Sequence, residues 1–203
     1  MGYGQSLIDA FDFANRRGYD WVITMDCDEQ HEPEMIPAFV REIRTDRWDV
    51  ISGSRYMDES GADGLPPGDR RAINATITAT LNELFGWQLT DSFCGFKAHR
   101  VSAMRRLNLT ETGYAFPLQF WPQAFEAGLR ITEIPVRLIY NDPTRHFGGL
   151  LDDAEVRLQH YRDVLCSELR QINQRPFSRD PKGSAASPEP LDQPAICSCF
   201  CGE

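Results

Sequence analysis

The chain has 203 residues, is 41% hydrophobic, and carries Asp+Glu 30 against Lys+Arg 21, a formal net charge of −9. That length and apolar content fit one domain with one sizeable core and leave room for a tail. The negative balance repels a phosphate backbone and argues against broad nucleic-acid binding, so an anionic ligand must be held locally, by a metal ion or a few arginines.

The N-terminal MGYGQSL has neither the basic segment nor the apolar stretch of a signal peptide, and no apolar run reaches the roughly 18 to 20 residues that span a bilayer. A cytoplasmic chain without a transmembrane segment is expected. Gly2 and Ser6 fit the loose myristoylation pattern, which many unmodified chains share. Leu7, Ala10, Phe11 and Ala14 recur at helical spacing, Gly18 breaks the pattern, and WVITM at 21–25 reads as a short buried strand. Pro33 marks a helix start, with Ile36, Phe39, Val40 and Ile43 on one face, before a second strand around DVISGS.

The turn-rich DESGADGLPPGD at 58–69 predicts a mobile loop, followed by a helix with Ile73, Ile77, Leu81 and Leu84 on one face. ITEIPVRLI at 131–139 predicts a strand, placed at a sheet edge by Pro135, and a long polar helix is expected over 151–173. Beyond Pro176 the Ser, Pro, Gly and Asp content cannot bury enough apolar surface to fold, so 176–203 is expected to be a disordered tail behind a domain at 1–175. Cys197, Cys199 and Cys201 in that tail fall short of a zinc-site spacing. Strands alternating with amphipathic helices indicate an α/β layered domain with a mainly parallel sheet.

The strongest chemical signal is MDCDEQH, directly after the first predicted strand. Ligands bind at the carboxyl ends of strands in such sheets, and residues two apart in extended backbone point the same way. Asp26, Asp28 and Gln30 thus offer three oxygen ligands suited to magnesium or manganese. The plain alternative is a turn whose Asp caps the next helix. A phosphatase with an Asp nucleophile is a further alternative, disfavoured by Glu29 and Gln30 where Thr or Val is wanted. His31 reads more simply as a hydrogen-bonding turn residue than as a metal ligand or base.

Further segments align with one family. DWVITMDCDEQHEPEMIPAFV, ISGSRY at 51–56, DSFCGFK at 91–97, GYAFPLQ at 113–119 and ITEIPV at 131–136 stand in the order found in family 2 glycosyltransferases. The chain resembles that family over residues 4–165, in particular its dolichol-phosphate mannosyltransferase-like, polyprenyl-phosphate branch. The resemblance implies a Rossmann-like GT-A fold in which Asp26, Asp28 and Gln30 hold a Mg or Mn ion and the donor diphosphate. It implies an inverting transfer of a hexose from a nucleotide-diphosphate sugar to a polyprenyl phosphate, peripherally at the inner membrane face. Arg55 and Arg70, with Asn74, would grip the acceptor phosphate, and Asp91, Gly95, Phe96 and Lys97 would line the donor sugar or position the acceptor. Asp28 and Asp91 are the expected catalytic carboxylates.

Departures from the family pattern accompany the matches. The family opens on a strand and a nucleoside-binding turn that have no counterpart here, so a chain lacking the first nucleotide-binding strand is expected. Lys97 replaces the usual Arg and Gln119 the usual Glu, while Arg145 belongs to a half-matched phosphate loop in which Leu150 and Leu151 replace a Ser-Lys pair. Transfer to a polysaccharide or small acceptor is the alternative within the fold, and a non-catalytic binding module the alternative outside it.

Overall fold

In the computed structural model, the described residues are 2–27, 31–57, 68–137, 139 and 149–174. Helix α1 spans Tyr3–Arg17 and ends where Gly18 takes the left-handed conformation, φ 72°, with its N–H donating to Ala14 and Asn15 carbonyls. Strand β1 is Trp21–Thr24. Pro33–Met35 forms a 3-10 turn that leads into α2, Ile36–Ile43. Strand β2, Val50–Ser54, is buried along its whole length. Helix α3 runs Gly68–Phe85, so Gly68 and Asp69 belong to its first turn rather than to the predicted loop; residues 58–67 of that loop lie outside the described residues.

Strand β3, Lys97–Arg100, leads directly into the short α4, Val101–Met104. Helix α5 is Phe116–Glu126, β4 is Ile131–Pro135, and a 3-10 turn at Gly149–Asp152 precedes α6, Ala154–Gln174. The sheet order is β1-β3-β2-β4. Strand β3 runs antiparallel to both β1 and β2, whereas β4 pairs parallel with β2, so three strands share one direction. The expected mainly parallel sheet therefore holds by strand direction, with one reversed strand inserted in its middle. Pro135 lies on the edge strand β4, the position its missing N–H requires. Strand β1, at the other edge among the described residues, is half-buried rather than buried as its apolar run predicts.

Alternating side chains of the strands feed two cores. Val50 joins Ile77, Leu81, Phe120, Trp121, Leu165 and Leu169 in the larger, beneath α1, α3, α5 and α6. Ile51 and Ala98 join Phe39, Phe96 and Val136 in the smaller, beneath α2. Helices thus cover both faces, as an α/β sheet buried on both sides demands. Among the described residues, no helix is long and apolar enough to cross a membrane.

Candidate functional site

The parallel strands β1 and β2 end beside one another with β3 beginning between them, and the segment 90–97 folds across their carboxyl ends. Asp91 is its fixed point. Its carboxylate is fully buried and accepts a two-pronged ion pair from Arg55, Nε to Oδ2 at 2.6 Å and Nη2 to Oδ1 at 2.9 Å. Asn74 Nδ2 donates to Oδ1 at 2.8 Å, and the backbone N–H groups of Arg55 and Phe93 donate at 3.2 Å each. Burial alone would raise this carboxyl, but the Arg55 charge and fork, helped by Asn74, outweigh it and hold Asp91 at about 2. Arg55, pressed downward by burial, is pushed well above its usual value by the same pairing.

The Asn74 that steadies Asp91 is itself fixed. Thr78 Oγ1 donates to Asn74 Oδ1 at 2.9 Å and is 2.8 Å from Ser92 Oγ, so one face of α3 carries a polar ladder into the turn. Arg55 keeps a side-chain exposure of 18%. Tyr56 stands beside it, with the guanidinium carbons of Arg55 and Arg71 each 5.7 Å from its ring centroid. Arg70 lies half-buried in the first turn of α3. Arg157 ties that turn to the opposite helix, donating to Asp69 Oδ2 at 2.6 Å and to the Leu151 carbonyl at 2.7 Å.

Asp26 follows β1, and its carboxylate occupies the space where Gly95 has no side chain; a Cβ there would overlap both Asp26 oxygens. His31 Nε2 is 3.5 Å from Asp26 Oδ2, with its ring 5.4 Å from Phe96. Burial raises the Asp26 carboxyl, yet His31 together with the charges of Lys97 and Arg55 brings it below its ordinary value, so it is an anion at neutral pH. The buried Lys97 ammonium donates to the Cys94 carbonyl and lies 5.4 Å from the Trp121 ring, and burial pulls its pKa down.

Of the residues expected at the site, the structure brings Asp26, Arg55, Asn74, Asp91, Gly95 and Lys97 together. Asp28, Gln30 and Arg145 lie outside the described residues. Phe96 belongs to the interior instead: its ring is fully buried and stacks on Phe39 at 4.4 Å. Gln119 is likewise internal. Its Nε2 donates to Glu168 Oε2 at 3.0 Å and its Oε1 accepts from the backbone of Thr110 and Glu111, which joins α5 to α6 rather than to a ligand.

Glu133 has a place that its strand motif did not reveal. Its carboxylate accepts from Thr90 N at 2.7 Å, Thr90 Oγ1 at 2.9 Å and Asp91 N at 3.0 Å. The available signal was a lone carboxylate within the otherwise uncharged ITEIPV strand. Among the described residues, no group of three His, Cys, Asp or Glu side chains could hold a metal ion.

A sheet flanked by helices, with an anionic carboxylate and a paired arginine at its strand ends, defines a class when set beside solved structures. Glucosyl-3-phosphoglycerate synthase from Mycobacterium tuberculosis, in complex with phosphoglyceric acid, matches 87% of this chain and 57% of its own at a TM-score of 0.58 and 18% identity. Its complex with Mn2+, UDP and glucosyl-3-phosphoglycerate matches at a TM-score of 0.57 and 18% identity, over 88% and 57% of the two chains. The fold is that of the GT-A glycosyltransferases.

Residues 1–107 match the model of Glycosyl transferase family 2, and the chain belongs to that family. It is 28% identical over 165 residues to an undecaprenyl-phosphate mannosyltransferase of Micrococcus luteus, covering 79% of this chain and 67% of that protein. It is 27% identical over 138 residues to a polyprenol monophosphomannose synthase of Mycolicibacterium smegmatis, covering 66% of this chain and 51% of that one. The chain therefore spans between half and two thirds of the length of these proteins.

Proposed function

We propose that the protein moves a hexose, mannose or a similar sugar, from a nucleotide-diphosphate sugar to a polyprenyl phosphate. The observation that carries this reading is the Arg55–Asp91 fork beside the Asp26–Gly95 contact, an anion-binding group next to an ionised oxygen ligand at the strand ends. The names of the Micrococcus and Mycolicibacterium relatives support the acceptor, and the Mn2+ and UDP of the glucosyl-3-phosphoglycerate synthase complex support a metal-assisted donor.

Asp26 fits a magnesium or manganese ion as a charged oxygen donor, and Asp28 and Gln30 would complete the set. When bound, the ion would neutralise the charge that gathers on the departing diphosphate. An acceptor phosphate oxygen is anionic at neutral pH, so no general base has to remove a proton. It attacks the anomeric carbon from the face opposite the diphosphate; the new oxygen–carbon bond forms as the bond to the diphosphate oxygen breaks, with inversion. Asp91, sealed and ionised, serves by aiming Arg55 rather than by moving a proton. The partly exposed Arg55 guanidinium then presents its remaining N–H groups to the acceptor anion, with Arg70 nearby on α3. The acceptor's lipid places the reaction at a membrane surface.

A second reading has a small phosphorylated acceptor, since the structural neighbours bind phosphoglyceric acid, another phosphate-bearing anion. Calorimetric titration with GDP and UDP, with and without manganese, tests the donor. Metal-dependent binding of one nucleotide, lost in Asp26→Asn, is the expected result. A folded protein that binds neither nucleotide would end the reading.

A further inference from the structure

The Arg55–Asp91 pair is assembled from two separate segments, the end of β2 and the turn after α3, and both must be held for the pair to form. A single carboxylate on the edge strand holds the turn directly and reaches the end of β2 through Thr90. Glu133 Oε1 accepts from Asp91 N at 3.0 Å, while Oε2 accepts from Thr90 N and Thr90 Oγ1 at 2.7 and 2.9 Å. Thr90 Oγ1 is 2.5 Å from Ser54 Oγ, which in turn accepts from Tyr56 N at 3.2 Å. Ser54 and Tyr56 flank Arg55 in sequence, so the chain of bonds grips Arg55 from both sides.

Glu133 is itself placed by the β2–β4 register, where it lies opposite Ser52, with Ser54 opposite Pro135. Three donors converge on its two oxygens. A carboxylate can accept all three, whereas an amide offers one oxygen and turns N–H groups toward the others.

We propose that Glu133 is a positioning residue for the acceptor anion, holding the two segments that carry Asp91 and Arg55 in register without touching substrate. This rests on the phosphate-acceptor reading above. Its chemistry is specific: loss of the carboxylate should slacken the aim of Arg55 while leaving the Asp26 side of the site in place, because no bond from Glu133 runs to Asp26.

The test compares Glu133→Ala and Glu133→Gln with the wild-type chain, using farnesyl phosphate as the acceptor probe and manganese with GDP or UDP as the donor-side probe. Farnesyl phosphate affinity is expected to fall at least about tenfold in Glu133→Ala and less in Glu133→Gln, which keeps one acceptor oxygen, with nucleotide affinity within about twofold of wild type. Unchanged farnesyl phosphate affinity in Glu133→Ala, or an equal loss on the nucleotide side, overturns the proposal. Should the wild type bind no phosphate acceptor, the acceptor reading fails and the clamp is judged by amide hydrogen exchange at Arg55 and Tyr56, whose N–H groups are held by Asp91 and Ser54. Faster exchange at both in Glu133→Ala, with a smaller change in Glu133→Gln, upholds the clamp. Unmoved exchange in both variants removes it.

Discussion

Asp91 accepts from five protein N–H groups while shut off from solvent, and that anchoring makes it costly to alter. Removing it leaves a guanidinium without its partner at a mostly buried position, which costs about 3–5 kcal/mol. Asp91→Ala is expected to lose stability on that scale, measured as a shift of the urea midpoint at constant slope. The pH dependence has a definite sign. The folded carboxyl lies at about 2, below its ordinary 3.8, so the stability from this pair is complete above pH ~4 and is lost as pH falls through about 2. Gly95 is the second position at which one residue decides the site. Gly95→Ala would drive a methyl group into the Asp26 carboxylate, and metal-dependent nucleotide binding is expected to weaken about tenfold or more by calorimetry while the fold persists.

At the scale of elements, the contact between α5 and α6 accounts for a sequence departure. Glu168 is buried and receives Gln119 Nε2 on one oxygen and Gln123 Nε2 on the other, at 3.0 and 2.8 Å. The glutamate expected at position 119 from family resemblance would put two carboxylates together in the interior, so Gln119 suits the presence of Glu168. Gln119→Glu is accordingly expected to destabilise the protein at neutral pH by about 2–4 kcal/mol, with part of the loss recovered in mild acid, checked by thermal melting across pH.

Other elements differ in how far their sequence declares them. Helices α1, α2 and α3 carry apolar residues at helical spacing, β1 is a short apolar run and β2 opens on Val50 and Ile51, so their patterning locates them. Strand β3 reads Lys-Ala-His-Arg, which has no strand signature; its burial comes from neighbours that satisfy or cover those side chains. Helix α5 is buried almost all round and contains Pro117 and Pro122, so neither an apolar stripe nor helix propensity marks it. The motifs located Asp26, Arg55, Asn74, Asp91, Gly95 and Lys97, because their spacing survives in sequence. Glu133 was missed because its partners are some forty residues away along the chain and only the fold brings them to it. Phe96 and Gln119 lie within recognisable motifs yet face the interior, a distinction that spacing does not carry.

For the molecule as a whole, the interior holds titratable groups that make acid the weak side of its stability. His99 lies in the core between Phe11 and Phe120, at 4.9 and 5.6 Å, and burial together with the Lys97 charge pushes it down to about 3. It is neutral in the folded chain, while an unfolded chain binds a proton there below its ordinary 6.5. Stability is therefore undiminished above pH ~6.5 and falls by about 1.4 kcal/mol per pH unit as pH drops toward 3. His99→Gln is expected to flatten that slope between about pH 6 and 4 in urea titrations, leaving an acid dependence below pH ~4 from the carboxyls held below their ordinary values, Asp91 and Asp26 among them.

The inward-facing ammonium of Lys97 has a practical corollary. The lysines of this chain are Lys97 and Lys182, and Lys97 is closed off beneath Trp121 with its protons directed at a carbonyl. An acylating reagent should leave it untouched in the native protein and modify it only when the domain opens. Mass spectrometry of the Lys97 peptide after timed labelling in urea would then chart the opening of the strand-end turn, and the site carries its own unfolding reporter without an added probe.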